Sequence, residues 1–206
     1  VDGAMASKYR NAGQTCMSAN RIYVQDAVHD AFVQKLRGKI ATLKLGRGTD
    51  AGVQMGPLID AKAVAKMQDH LKDALALGGT LVAGGKPSDL GGTFFEPTIV
   101  TGVTQNMKVA REETFAPLAP IIRFMSEDDV IAMANATQFG LAAYFYARDM
   151  SRVGRVAEAL ESGMVGVNTP MIVSEMAPFG GVNQSGLGRE GSKYGIESYL
   201  ELKLVS

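Results

Sequence analysis

Thiols are almost missing from this chain. Cys16 is the sole cysteine among 206 residues. No intrachain disulfide is possible, and a lone thiol fits a reducing compartment, with the cytoplasm as the expected location. Histidine is nearly as scarce. His29 and His70 are the only two, which is too sparse for a metal site, so no metal is expected. Each falls on the polar face of a separate predicted helix and is expected to be solvated. An excess of one charge is also lacking: Lys plus Arg and Asp plus Glu are 21 each. That balance argues against nucleic acid or an anionic membrane as the main partner. The longest apolar runs fall far short of a bilayer span, and no basic stretch followed by an apolar one marks a secretion signal. What remains is an ordinary globular composition, 46% hydrophobic and 20% charged, long enough for one sizeable core or one domain with an appendage.

Punctuation and periodicity then give the order of elements. Val1 to Arg10 reads as a helix already under way, with no capping residue before it, so the chain is expected to be a piece of a longer protein. A strand at 21–25 precedes an amphipathic helix that Asp26 should cap and whose stripe is Val28, Phe32, Leu36, Ile40 and Leu43. Gly46 and Gly48 should end it, and 55–58 reads as a loop. A second helix starts at Asp60, turns Val64, Met67, Leu71 and Leu75 inward and stops at Gly78-Gly79. Strands are predicted at 80–83, 117–124, 141–147 and 164–167. The stretch 94–100 is expected to be extended, with Pro97 marking an edge or irregular position. A short charged helix or turn is predicted at 108–113. Ser126 should open a helix in capping-box fashion, and Ser151 should cap another. A loop follows from 168 to 191, then a short helix near 193–198 and a final strand at 199–205. Alternating helices and strands predict an α/β fold with a largely parallel sheet flanked by helices. In such sheets ligands sit at the carboxyl ends of the strands. The last strand alternates polar Tyr199, Glu201 and Lys203 with apolar Leu200, Leu202 and Leu204. Such a half-exposed edge suits addition to a sheet in another domain or subunit.

The chemistry-bearing stretch is Asn11-Ala12-Gly13-Gln14-Thr15-Cys16-Met17-Ser18-Ala19-Asn20. A lone cysteine is commonly a small buried apolar residue. Here its neighbours are polar or small and make a poor core, Lys8 and Arg10 lie just upstream where positive charge favours the thiolate, and the stretch sits between a predicted helix and strand. A nucleophile needs such a loop tip. Gly186-Leu187-Gly188-Arg189-Glu190-Gly191 matches the dinucleotide fingerprint by letter. It lacks the preceding strand, the long following helix and the downstream acid that the mechanism needs, and is set aside.

The Cys16 stretch, with Glu112-Glu113-Thr114-Phe115-Ala116-Pro117 and with Pro178-Phe179-Gly180-Gly181 running on to Ser185-Gly186-Leu187-Gly188-Arg189-Glu190-Gly191, resembles the NAD(P)-dependent aldehyde dehydrogenase family in order and spacing. Lys8 to Cys16 and Gly188 to Lys203 resemble its succinate-semialdehyde dehydrogenase branch. The resemblance implies a catalytic domain over 1–190 and, over 191–206, the helix and strand of an oligomerisation arm. It implies Cys16 as the nucleophile that passes through a thiohemiacetal and a thioester, with the cofactor NAD or NADP held mainly by a domain outside this chain. Glu113 would bind the nicotinamide ribose and Phe115 would pack near the nicotinamide. Arg10 would clamp the distal carboxylate of succinate semialdehyde with help from Ser174, and Phe179 would wall the aldehyde tunnel. The partners implied are a small-molecule aldehyde and, in the full-length protein, further copies of itself.

The sequence also departs from that pattern. The Glu-Leu-Gly-Gly segment that supplies the family's general base upstream of the cysteine has no counterpart before Cys16, and Asp89-Leu90-Gly91-Gly92 lies downstream in a loop. Ala116 stands where the family usually has Gly, and Asn183 where Lys is common. Ser18 stands where some relatives carry a second cysteine as a redox switch. The isolated chain is therefore expected to be nearly inactive as a dehydrogenase. Two other readings remain open at this point: a cofactor-free thiol hydrolase acting through Cys16, and a non-catalytic assembly module using the 199–205 strand. The rival readings are a surface charge on a helix end for Arg10, a cap or a partner of Arg111 for Glu113, and ordinary core for Phe115 and Phe179.

Overall fold

Helix α1 (Asp2–Lys8) opens the chain, and a 3-10 turn (Arg10–Gly13) carries it toward strand β1 (Ile22–Gln25). Helices α2 (Asp26–Ile40) and α3 (Ala61–Ala76) follow, then strands β2 (Thr80–Ala83) and β3 (Thr98–Thr101), helix α4 (Lys108–Arg111), strand β4 (Leu118–Phe124) and helix α5 (Glu127–Asn135). The remainder holds β5 (Phe139–Gly140), β6 (Ala142–Phe145), α6 (Met150–Ala159), β7 (Met164–Val167), β8 (Val182–Asn183) and a 3-10 turn at Glu197–Tyr199. This is a computed structural model describing all residues from Val1 to Ser206. Packing divides it into Val1–Val130 and Ile131–Ser206.

The first unit carries a four-stranded sheet in the order β1-β4-β3-β2. β4 is an interior strand, parallel to β1 through Ile22–Ile121 and to β3 through Thr98–Leu118. β2 closes the far side, antiparallel to β3. The unbroken apolar run of β4 explains its place: Leu118, Ala119, Ile121 and Ile122 are all buried, as a strand covered on both faces requires. Pro97 sits just before β3, outside the ladder, and the strand it precedes is interior rather than an edge. Its missing N–H therefore costs no ladder bond.

α3 forms as its signals predict. The Asp60 side chain accepts from the Ala63 N–H at 2.8 Å. Gly78, at φ 96°, lets Gly79 N–H reach back to the Ala74 carbonyl at 2.8 Å while Gly78 N–H donates to the Leu75 carbonyl, a Schellman ending. Phase is where the helices differ from expectation. In α2 the inward line runs His29, Leu36, Ile40, and Val28 is 53% exposed. In α3 it runs Met67, His70, Leu71, Ala74, with Leu75 turned outward. Both histidines are thus buried, not solvated. Each finds polar partners brought by distant sequence: Arg123 beside His29, and Thr114 and Glu112 beside His70. Asp26 does not cap α2 but is its first residue, and its carboxylate takes Arg123 instead.

In the second unit α6 connects β6 to β7, which pair in parallel through Ala142–Met164 to Phe145–Val167. β5 and β8 pair antiparallel, so the long predicted loop contains one short strand. Asp149, not Ser151, caps α6 by accepting from Arg152 N–H at 2.7 Å. Residues 199–205 form no strand. Leu200 is extended, yet nothing in the chain pairs with the segment, and Leu202 and Leu204 stand fully exposed. A strand exists only when its N–H and C=O groups meet a neighbour. The predicted helix near 193–198 is reduced to turns and the 3-10 segment Glu197–Tyr199.

Candidate active site

Immediately before Cys16 the chain makes a left-handed run: Asn11, Ala12 and Gly13 have φ of 51°, 56° and 74°. Each non-glycine residue held there costs roughly 1–2 kcal/mol, so the surroundings must fix it. Asn11 Nδ2 donates to the Gln14 carbonyl at 2.9 Å. Gln14 anchors the run from outside, accepting from Ile59 N–H at 2.8 Å and donating to the Pro57 carbonyl at 3.3 Å. Gly13 lies against the Ala116 carbonyl, so closely that a Cβ would overlap its oxygen.

The turn that follows is closed by Ser18 N–H donating to the Thr15 carbonyl at 3.0 Å, and Cys16 is its second residue. Ala19 N–H to Ser7 Oγ at 3.1 Å ties the far side to α1. Cys16 is exposed and unbridged, and its backbone N–H donates to no acceptor in the chain. The Ser18 hydroxyl is buried without a hydrogen-bond partner. Arg10 is exposed and enters no ion pair.

The second segment of the site, Glu112 to Pro117, is held by residues outside the predicted set. Asn20 Nδ2 donates to the carbonyls of Glu112 at 2.9 Å and Val109 at 3.2 Å, and Asn20 Oδ1 accepts from Thr114 N–H at 3.0 Å. His70 Nδ1 lies 3.0 Å from Thr114 Oγ1 and its Nε2 lies 3.3 Å from Glu112 Oε2. Burial holds the His70 ring below its ordinary pKa, with the Glu112 carboxylate opposing. Glu113 is exposed and outside every ion pair. Phe115 takes φ 55° and is 37% exposed. Lys8, one turn back on α1, is 1% exposed. Burial pushes its ammonium down to about 8, while the Glu113 carboxylate pulls upward.

Arg10, Cys16, Glu113 and Phe115 therefore lie in the first unit, and Gly13 and Asn20 join the cysteine stretch to the Glu113 segment. Ser174 and Phe179 lie in the second unit. Ser174 Oγ accepts from Met176 N–H at 3.2 Å within an exposed turn. Phe179 exchanges both backbone bonds with Glu190, at 2.9 and 2.7 Å, so the chain doubles back through Gly186 and Gly188 and no helix of a dinucleotide fold starts there. No group of three or more His, Cys, Asp or Glu could hold a metal ion, and no helix is long and apolar enough to cross a membrane.

The anchoring roles of Gln14, Asn20 and His70 escaped sequence reasoning, and Lys8, read there only as positive charge upstream of the thiol, is buried. One signal was available for His70: it continues the spacing Met67, His70, Leu71, Ala74 on the buried face of α3.

Known proteins agree with the motifs. The aldehyde dehydrogenase family model matches residues 1–205. A glutarate-semialdehyde dehydrogenase of Pseudomonas aeruginosa is 64% identical over the whole chain and is covered over 42% of its own length. The NADP(+) succinate-semialdehyde dehydrogenase of Escherichia coli K12 is 63% identical with the same coverage. A crystal structure of an E. coli NADP-dependent enzyme superposes with TM-score 0.97 at 63% identity, over 98% of this chain and 42% of that one. The chain thus spans well under half the length of the relatives it matches, and it belongs to the aldehyde dehydrogenase family.

Proposed function

We propose that Cys16 is the nucleophile of an NAD(P)-dependent dehydrogenase that oxidises succinate semialdehyde or a similar ω-carboxy aldehyde. Residues 1–190 are its catalytic portion, and 191–206 belong to the arm of a homo-oligomer. One observation carries this reading: an exposed thiol at the tip of a pinned turn, with its own N–H unpaired beside it.

The Cys16 thiolate adds to the aldehyde carbon, and the free N–H of Cys16 stabilises the oxyanion of the thiohemiacetal. Loss of hydride from the thiohemiacetal carbon, for which NAD(P), when bound, would supply the acceptor, leaves a thioester on Cys16. Water then cleaves the thioester, releasing the acid and the thiol. The base for that step lies outside the residues present here. Glu113 fits a ribose diol, because an ionised carboxylate only accepts hydrogen bonds and this one has no partner cation within ion-pair distance. Phe115 offers an exposed ring to the nicotinamide. The Arg10 guanidinium presents a planar fork suited to a carboxylate, Ser174 adds a hydroxyl, and Phe179 walls the aldehyde's path. Glutarate and succinate semialdehydes, named for the relatives above, share a carboxylate distal to the aldehyde, which is the group Arg10 would take.

The test is NAD(P)H formation from succinate semialdehyde by this chain joined to a dinucleotide-binding domain. Cys16→Ser should abolish it. Arg10→Gln should raise KM for succinate semialdehyde by about tenfold or more and leave butanal unchanged, as loss of a charged hydrogen-bonded pair implies. Persistent turnover by Cys16→Ser overturns the reading. The 206-residue chain alone should give no steady NAD(P)H. The same exposed thiol supports a second reading, a cofactor-free thiol hydrolase. A burst from an aryl ester, lost in Cys16→Ser, in a protein that never reduces NAD(P) would select it.

A further inference from the structure

Glu113 is exposed and its side chain makes no ion pair, yet the peptide that carries it is anchored through both of its neighbours. Its neighbours on either side are gripped twice. Asn20 takes their backbones, donating to the Glu112 carbonyl at 2.9 Å and accepting from Thr114 N–H at 3.0 Å. His70 takes their side chains, with Thr114 Oγ1 at 3.0 Å from Nδ1 and Glu112 Oε2 at 3.3 Å from Nε2. Thr114 and His70 are 2% and 1% exposed, so their contact is shielded from water, while the Glu112 side chain reaches the ring from the surface.

The donors can be assigned by elimination. An ionised Glu112 only accepts, so Nε2 carries the ring proton, and Nδ1 accepts from the Thr114 hydroxyl. The neutral ring satisfies both contacts at once, and burial favours that neutral form. A bracket of this kind orders a peptide before any ligand arrives. Fixing one residue's backbone costs about 1–2 kcal/mol. A carboxylate on an already ordered peptide is spared that cost when it binds, which is worth about tenfold in affinity. Asn20 also lies on the same short stretch as Cys16, so the bracket sets the Glu113 peptide relative to the nucleophile's loop.

We propose that Asn20 and His70 are positioning residues for Glu113: they preorder the carboxylate that meets the cofactor ribose and keep it in register with Cys16. This rests on the role assigned to Glu113 above. Neither residue touches the reacting atoms.

Asn20→Ala, His70→Ala and the milder His70→Gln test it, made both in this chain and in the chain joined to a dinucleotide-binding domain. In this chain, amide hydrogen exchange at Thr114 should accelerate by about tenfold or more in the alanine variants, while the β4 amides keep their protection. In the joined protein, KM for NAD(P) should rise by about tenfold, with kcat within about threefold and His70→Gln recovering part of the loss. Iodoacetamide should alkylate Cys16 at an unchanged rate in the His70 variants. A fall in kcat and melting temperature with no change in cofactor KM overturns the positioning role. An unchanged cofactor KM in Glu113→Gln overturns the assignment of Glu113 instead, and the positioning role with it.

Discussion

Gly13 and the carbonyl of Ala116 are in direct apposition: a Cβ built on Gly13 would lie 2.6 Å from the Ala116 carbonyl carbon and closer still to its oxygen. The contact joins the stretch before the nucleophile to the segment after Glu113. No side chain can enter it, because both partners are backbone.

Gly13→Ala should therefore be among the most damaging single changes in the chain. At φ 74° the alanine is strained by about 1–2 kcal/mol before the clash is counted, and moving the Ala116 peptide should bring the loss to about 3 kcal/mol or more. Gly38 is the control. It sits within α2 with nothing within 4 Å of the place a methyl group would take, and Gly38→Ala should stabilise by about 0.5–1 kcal/mol. Urea unfolding of the pair measures both signs. Equal effects would show that the Gly13–Ala116 contact yields easily.

Ser18 offers a gain. Its hydroxyl is buried without a partner, a condition that costs about 1–3 kcal/mol. Ser18→Ala removes the orphan and changes little volume, so the unfolding midpoint should rise by an amount worth about 1 kcal/mol. A drop would mean that the hydroxyl is hydrogen-bonded in solution after all.

Gln14 should behave in the opposite way. Its amide bonds the Asn11 and Pro57 carbonyls and accepts from Ile59 N–H. Gln14→Ala removes bonds that lie at the surface, where water can replace them, and should cost about 0.5–1.5 kcal/mol, with faster exchange at the Ile59 amide. Gln14→Glu keeps the acceptor for Ile59 and loses the donors, so its cost should fall between wild type and the alanine variant. If the alanine variant is neutral, the left-handed run is held without the Gln14 side chain, by the Asn11 amide and the Gly13–Ala116 contact.

How far these features could be read beforehand depended on where the causes lie in the chain. α3 was legible end to end, because Asp60 and Gly78-Gly79 act on their own neighbours. β4 was legible because a strand covered on both faces must be apolar where it is covered, as Leu118 to Ile122 are. The exposed turn at Cys16 was legible from its polar, small-residue surroundings. The burial of His29 and His70 was not, since their partners arrive from Arg123 and Thr114, far away in the chain in each case. Asn20 looked like one more polar loop residue, and its grip on Glu112 and Thr114 exists only in three dimensions. The tail at 199–205 had the alternation of a strand but no partner within the chain, and alternation without pairing does not make a strand.

Lys8 gives the chain a pH dependence of unusual sign. Its ammonium is buried and pushed down from 10.5 to about 8, with Glu113 only partly opposing. Below about pH 8 folded and unfolded chains both hold the proton, and the folded state bears the full burial cost. Between about 8 and 10.5 the unfolded chain holds a proton that the folded chain has released. Stability must then rise with pH across that interval. The total is on the order of 3 kcal/mol. Tyr9 limits the window, because burial raises its phenol, so its neutral folded form loses ground once pH passes its ordinary value of 10.0. The net rise should thus be confined to about pH 8–10. Lys8→Met keeps the stem's volume and removes the charge, so it should unfold at higher denaturant at about pH 7 and show a flat profile across that window. A wild-type profile that already falls with pH there would mean that the ammonium is paired or hydrated well enough to stay charged in the folded state.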